Sequence, residues 1–149
     1  MCGPPSLILP DLWLGDLVAA QDEKFIGTIS NVINATNKYP NYFEDKLTYH
    51  RIPLKNAHVC KTSTDLLMIS LDEIANKIHD ILGHGGSVLV HCKRGHHRSA
   101  SLIAAYLIKF YKFTVIEAVE FLRIKRPCCF RKEKCIVKIL IPFYHFVNS

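Results

Sequence analysis

Apolar residues recur along this chain at two spacings, and the switches between them mark the elements. Val88-Leu89-Val90 is a short aliphatic run of the kind that forms a strand buried on both faces, and it ends abruptly at His91-Cys92. Leu67, Leu71, Ile74, Ile78 and Ile81 return at helical spacing, with Ser63 or Thr64 able to cap that helix and Gly83 able to end it. The stretch from Ser99 to about Tyr111 is apolar almost all round, which predicts a helix in a central, buried position. Thr114 followed three residues later by Glu117 is a capping box; the helix it opens buries Val115, Ala118, Val119 and Leu122 and stops before Pro127. A last helix runs from about Lys132, and Pro142 removes a backbone donor that kinks or breaks it near residues 138–141. Strands alternating with helices predict an α/β domain with a covered sheet. The Met and aromatic positions read as core.

One junction in this pattern carries chemistry. A buried strand, a tight loop and a helix N-terminus in succession build an anion site, because loop amides point inward and the helix dipole adds partial positive charge. Cys92 stands at the start of that loop and Arg98 at its end, with Ser99 opening the helix. Gly95 sits mid-loop, where a positive φ is needed. A thiol beside a helix N-terminus and a guanidinium has its pKa lowered from about 8.5 into the range of roughly 3.5–7.5. Cys92 is thereby a candidate thiolate nucleophile at neutral pH. Lys93, Arg94, His96 and His97 make the loop basic and suit it to attracting a polyanion.

Composition narrows the setting. At 149 residues the chain is of single-domain size, large enough for a core without staples, and it has no repeats or linker. Its six Cys (Cys2, Cys60, Cys92, Cys128, Cys129 and Cys135) are irregularly spaced, with no Cys-x-x-Cys pair, so neither a disulfide framework nor a zinc site is indicated. A working thiolate implies a reducing compartment, the cytosol or nucleus. The N-terminus lacks a basic signal region, Pro10-Asp11 interrupts its apolar stretch, and Cys2 rather than glycine follows Met1, so neither secretion nor myristoylation is expected. The longest uncharged apolar helical segment, Ala100 to Ile108, is far below membrane-spanning length. The net charge of +6 favours anionic partners without naming them.

The segment His91-Cys92, five residues, then Arg98-Ser99 resembles the signature of the cysteine-based protein phosphatases, His-Cys-x5-Arg-Ser/Thr. The likeness extends to the dual-specificity branch. Its Ala-Tyr-Leu-Met appears as Ala105-Tyr106-Leu107-Ile108, and residues Ile8 to Gly15 resemble its opening strand. Val32-Ile33-Asn34-Ala35-Thr36 and Tyr49-His50-Arg51-Ile52-Pro53-Leu54 resemble the next two strands, while Ala118 to Arg123 with Arg126-Pro127 resemble a later helix. The resemblance implies one catalytic domain over 1–149 with a protein-tyrosine-phosphatase-like fold, a central mostly parallel sheet flanked by helices. It implies that Cys92 carries the phosphoryl group, that Arg98 chelates two phosphoryl oxygens with its planar fork, and that Ser99 hydrogen-bonds the leaving thiolate. His91 then orients the loop. The family places a general-acid Asp on the loop after the Ile-Pro strand, because alkyl and aryl oxygens leave poorly unless protonated. Here the matching residue is Asn56, which cannot donate a proton usefully, and the loop from Asn56 to Thr64 is longer than usual; His58 and Asp65 are the substitutes in reach.

These readings lead to a small dual-specificity phosphatase acting on phosphotyrosine and phosphoserine/phosphothreonine in proteins, with no cofactor and no metal. Phosphorylated proteins are the expected partners, with no nucleic acid and no membrane, and the chain is a monomer or a homodimer. Two alternatives stay open. One is a phosphatase of a non-protein polyanion, a phosphoinositide or an RNA 5′-phosphate, though such relatives usually show Arg-Thr-Gly where this chain has Arg98-Ser99-Ala100. The other is an impaired phosphatase that mainly binds phosphoproteins. Minimal relatives of this size occur in large DNA viruses, and some dimerise through an extra N-terminal helix that has no counterpart in this sequence.

Overall fold

The computed structural model describes residues 3–52 and 64–149, the first two positions of the second segment by backbone alone. Five short strands form one sheet: β1 (Ser6–Leu9), β2 (Leu12–Gly15), β3 (Asn31–Asn34), β4 (Thr48–Arg51) and β5 (Val88–His91), in the order β1-β2-β5-β3-β4. All neighbours are parallel except the β1–β2 hairpin. The mostly parallel sheet expected from the sequence is therefore present. β5 lies at its centre, all four of its residues buried, as the unbroken aliphatic run requires.

Residues Ile8 to Gly15, read as one opening strand, are instead two. The apolar pattern runs on through Pro10-Asp11, but Pro10 withholds a donor and Asp11 adopts φ 66°, so the chain reverses into a tight hairpin. Two short helices, α1 (Leu17–Gln21) and α2 (Glu23–Ile26), follow, capped by Asp16 and Asp22. Asp16 Oδ1 accepts from Ala19 N at 2.9 Å.

The long α3 (Thr64–Gly83) packs along α4 (Arg98–Phe110) and buries Leu67, Leu71, Ile74 and Ile78, with Ile81 partly covered. Every residue of α4 from Ser99 to Ile108 is buried, so this helix is the axis of the core. The capping box of α5 (Val115–Lys125) is formed in both directions: Glu117 N donates to Thr114 Oγ1 at 3.2 Å and Thr114 N to Glu117 Oε1 at 2.9 Å. Ahead of Pro142 the regular α-helix is interrupted, close to where the sequence places a kink or break. The chain widens into a π-turn over Ile136–Leu140 before α6 (Ile141–Val147), and Ile141 N donates to Ile136 O. Proline supplies no N–H to the preceding turn, the regular α-register is not kept there, and Pro142 falls in the first turn of α6, where no donor is needed.

The candidate active site

The loop between β5 and α4 is shaped from behind. Leu17 N donates to Lys93 O (3.0 Å), Arg126 Nε to Gly95 O (3.1 Å), Phe130 N to His96 O (2.9 Å), and Ser101 N to His97 O (2.8 Å). Ser101 Oγ adds a 2.7 Å bond to His97 O. In a trans peptide the N–H points opposite to the carbonyl of the preceding residue. Drawing those four carbonyls outward therefore turns the N–H groups of Arg94, His96, His97 and Arg98 toward the inside, where an anion would lie. Gly95 has φ 71°, and a Cβ there would stand 2.8 Å from Gly15 O and 2.9 Å from Arg126 Nη2. Both the backbone conformation and the space demand glycine.

Cys92 sits at the floor, 3 % exposed. Its Sγ lies 3.1 Å from Ser99 Oγ and accepts the Gly95 N–H at 3.2 Å. Burial pushes the thiol up, but the Ser99 hydroxyl and N–H, the Arg98 charge and the Gly95 N–H outweigh it and hold the pKa below the ordinary thiol value. His91, at the strand end, places Nδ1 3.3 Å from Cys92 O, and burial lowers its pKa to about 4. It is a neutral imidazole holding the start of the loop.

Above the sulfur opens a cavity of about 490 Å³, walled by Cys92, Lys93, Arg94, His96, His97 and Arg98. Arg131 and Lys132, from the turn after α5, complete the wall. The structure thus brings together the loop residues singled out in the sequence, from Cys92 to Ser99. It alters the source of the charge. Desolvation first, and then the cations around them, lower the pKa of both His96 and His97. The positive rim at neutral pH is made by Lys93, Arg94, Arg98, Arg131 and Lys132. Asn56 and His58 lie outside the described residues, as does the side chain of Asp65.

Three residues were missed by sequence reasoning. Arg131 and Lys132 carry no local signal beyond their charge, and only the tertiary fold brings them to the rim. Arg126 was noted as part of a helix-end match but not for its position: it is 1 % exposed, directly behind the loop. Its Nε holds Gly95 O, and its Nη1 donates to Pro4 O at 2.8 Å and Ser6 Oγ at 3.1 Å. Its buried Nη2 has no hydrogen-bond partner among the described residues. A buried arginine bound to neutral oxygens is costly, and here it ties the β5–α4 loop to the chain entering β1. The other described cysteines divide: Cys129 and Cys135 are free and buried, whereas Cys128 is disulfide-bonded, which its spacing did not announce.

A central parallel strand that delivers a cysteine into a loop of inward amides, closed by an arginine at a helix start, defines a phosphate-ester site of the cysteine-phosphatase class. The family model "Dual specificity phosphatase, catalytic domain" matches residues 12–144, and the chain belongs to that family. It is 35 % identical over 127 residues to dual specificity protein phosphatase 14 of Mus musculus, covering 84 % of this chain and 62 % of that protein. It is 33 % identical over 126 residues to dual specificity protein phosphatase 1-A of Xenopus laevis, covering 83 % of this chain and 33 % of the relative. The chain thus spans between a third and two thirds of these relatives' own length. Human DUSP28 shares the fold with a TM-score of 0.84 at 21 % identity, covering 100 % of this chain and 98 % of that one. The human tyrosine phosphatase-like serine/threonine/tyrosine-interacting protein does so with a TM-score of 0.79 at 19 % identity, over 98 % and 99 % of the two chains. Among the described residues no helix is long and apolar enough to cross a membrane.

Proposed function

We propose that this chain hydrolyses phosphotyrosine and phosphoserine/phosphothreonine in proteins through a cysteinyl-phosphate intermediate. The observation that carries the reading is the convergence of Ser99 Oγ and Gly95 N–H on a buried Cys92 Sγ at the floor of a cationic cavity. The thiolate attacks phosphorus in line; the S–P bond forms as the P–O bond to the substrate breaks. Arg98 and the loop amides hold the equatorial oxygens as their charge develops. Water then attacks phosphorus, the S–P bond breaks, and the Ser99 hydroxyl donates to the departing thiolate while inorganic phosphate leaves. The five cations of the rim favour phosphorylated proteins whose flanking sequence is acidic.

By sequence, Asn56 matches the position of the family's general acid. With an amide there, the rate depends steeply on the leaving group, and aryl phosphates turn over faster than alkyl phosphates. General-acid catalysis is worth roughly 10²–10⁴-fold, so Asn56→Asp raises turnover of phosphotyrosine peptides and flattens that dependence. If Asn56→Asp changes nothing while His58→Ala or Asp65→Asn costs more than about tenfold, the acid is one of those two. The mechanism itself is tested by Cys92→Ser, which abolishes turnover of an aryl phosphate while vanadate still binds. Turnover that survives Cys92→Ser would discard the cysteinyl-phosphate route.

A further inference from the structure

A second cavity, of about 470 Å³, lies beside the catalytic one and shares Lys93, Arg94, His96 and Arg131 with it. Its far wall is the start of α1: Asp16, Leu17 and Val18. Val18 is 71 % exposed. A single exposed valine is ordinary, but this one faces a concavity whose opposite wall is Lys93, Arg94, His96 and Arg131, the lysine and arginines apolar along their stems and charged at their tips. The one carboxylate in the wall, Asp16, is engaged in capping α1. The wall is also fixed relative to the catalytic loop, since Leu17 N donates to Lys93 O at 3.0 Å.

Two contiguous cavities with a common cationic wall suit two neighbouring side chains of one extended peptide, whose residues advance about 3.3–3.6 Å each. We propose that the groove between α1 and the catalytic loop is a specificity subsite for a large aliphatic residue within two positions of the phosphoamino acid, in an acidic segment. The aliphatic side chain packs on Leu17 and Val18, and a neighbouring carboxylate meets Arg94 and Arg131. The inference rests on the protein-phosphatase reading above.

Wild type and Val18→Asp are compared on an aryl phosphate and on phosphotyrosine peptides of one acidic sequence. A single leucine, glycine or phosphoserine is moved through the two positions on either side. The aryl phosphate, which has no flanking residue, reads how far the new carboxylate acts on the phosphate cavity through the shared wall, and each enzyme's leucine-to-glycine ratio is taken within that enzyme. The wild type favours leucine over glycine at one of these positions by about tenfold or more in kcat/KM, and Val18→Asp abolishes that preference. Equal kcat/KM for leucine and glycine at all positions overturns the subsite alone, as does an unchanged preference in Val18→Asp. A preference for phosphoserine over leucine that Val18→Asp leaves intact assigns the groove to a second phosphate instead. Hydrolysis of the aryl phosphate but of no peptide removes the protein-phosphatase reading, and the subsite with it.

Discussion

Cys92 and Cys129 occupy two turns of the same molecule, both buried and both near guanidinium groups, yet their thiols are driven in opposite directions. Cys129, in the turn leaving α5, is pushed up to about 12 by burial, although Arg126 and Arg123 lie close enough to pull it down. Cys135 stands between the two cases. It has the Ser101 side chain in hydrogen-bond contact and Lys134 and Arg98 nearby, and burial still raises it. Cys92 is held low because a hydroxyl, two backbone N–H groups and Arg98 all act on it. Nearby positive charge does not make a buried sulfur reactive, and neither does a single hydroxyl. Several donors aimed at the sulfur are required, and they come from the shape of the β5–α4 loop.

That difference can be broken most severely at Gly95. A methyl group there meets Gly15 O and Arg126 Nη2 and strains a backbone at φ 71°, so Gly95→Ala swings the N–H away from the sulfur. Loss of a comparable donor in other active sites costs about 10²–10³-fold, and kcat/KM for an aryl phosphate should fall by about 10²-fold or more. A loss smaller than about fivefold would mean that the loop tolerates another shape, against the usual cost of such a donor. Ser99→Ala removes one donor and leaves the loop in place. A hydrogen bond to a charged group is worth about 1.5–3 kcal/mol, so the Cys92 thiol should titrate at a clearly higher pH than in the wild type. Breakdown of the cysteinyl phosphate should slow as well, visible as a burst in product release.

A smaller effect comes from His91, which is neutral in the fold with a pKa of about 4. Between pH 6.5 and about 4 the unfolded chain binds a proton that the folded chain refuses, so stability is intact above pH 6.5 and is lost as pH falls through this window. At about 1.4 kcal/mol per pH unit, the loss is at most about 3 kcal/mol, read from urea midpoints at pH 7 and pH 4.5. His91→Asn should flatten that slope. Cys129→Ala marks the other side of the comparison. It should leave turnover unchanged and cost only about 1 kcal/mol of stability, since little volume is lost.

What the sequence disclosed follows from how local each feature is. Cys92, Gly95, Arg98 and Ser99 lie within eight residues of one another, so their spacing alone carries the loop, and α4 announced itself by being apolar all round. The hairpin at Pro10-Asp11 and the π-turn before Pro142 were blurred because each proline is accommodated by a backbone adjustment that periodicity does not reveal. The brace behind the loop was not legible at all. Arg126 meets Gly95 across 31 residues and Pro4 across 122, and only the packing of α5 against β1 brings them together.

The most direct test is the pH dependence of alkylation at each cysteine, followed by mass spectrometry of the native protein with iodoacetamide between pH 4 and 9. Cys92 should label first, with a midpoint below the ordinary thiol value of about 8.5, and Cys129 and Cys135 should stay nearly inert throughout. If Cys92 titrates at or above that value, or Cys129 labels as fast, the aimed donors do not govern the thiol and the account of this site is wrong.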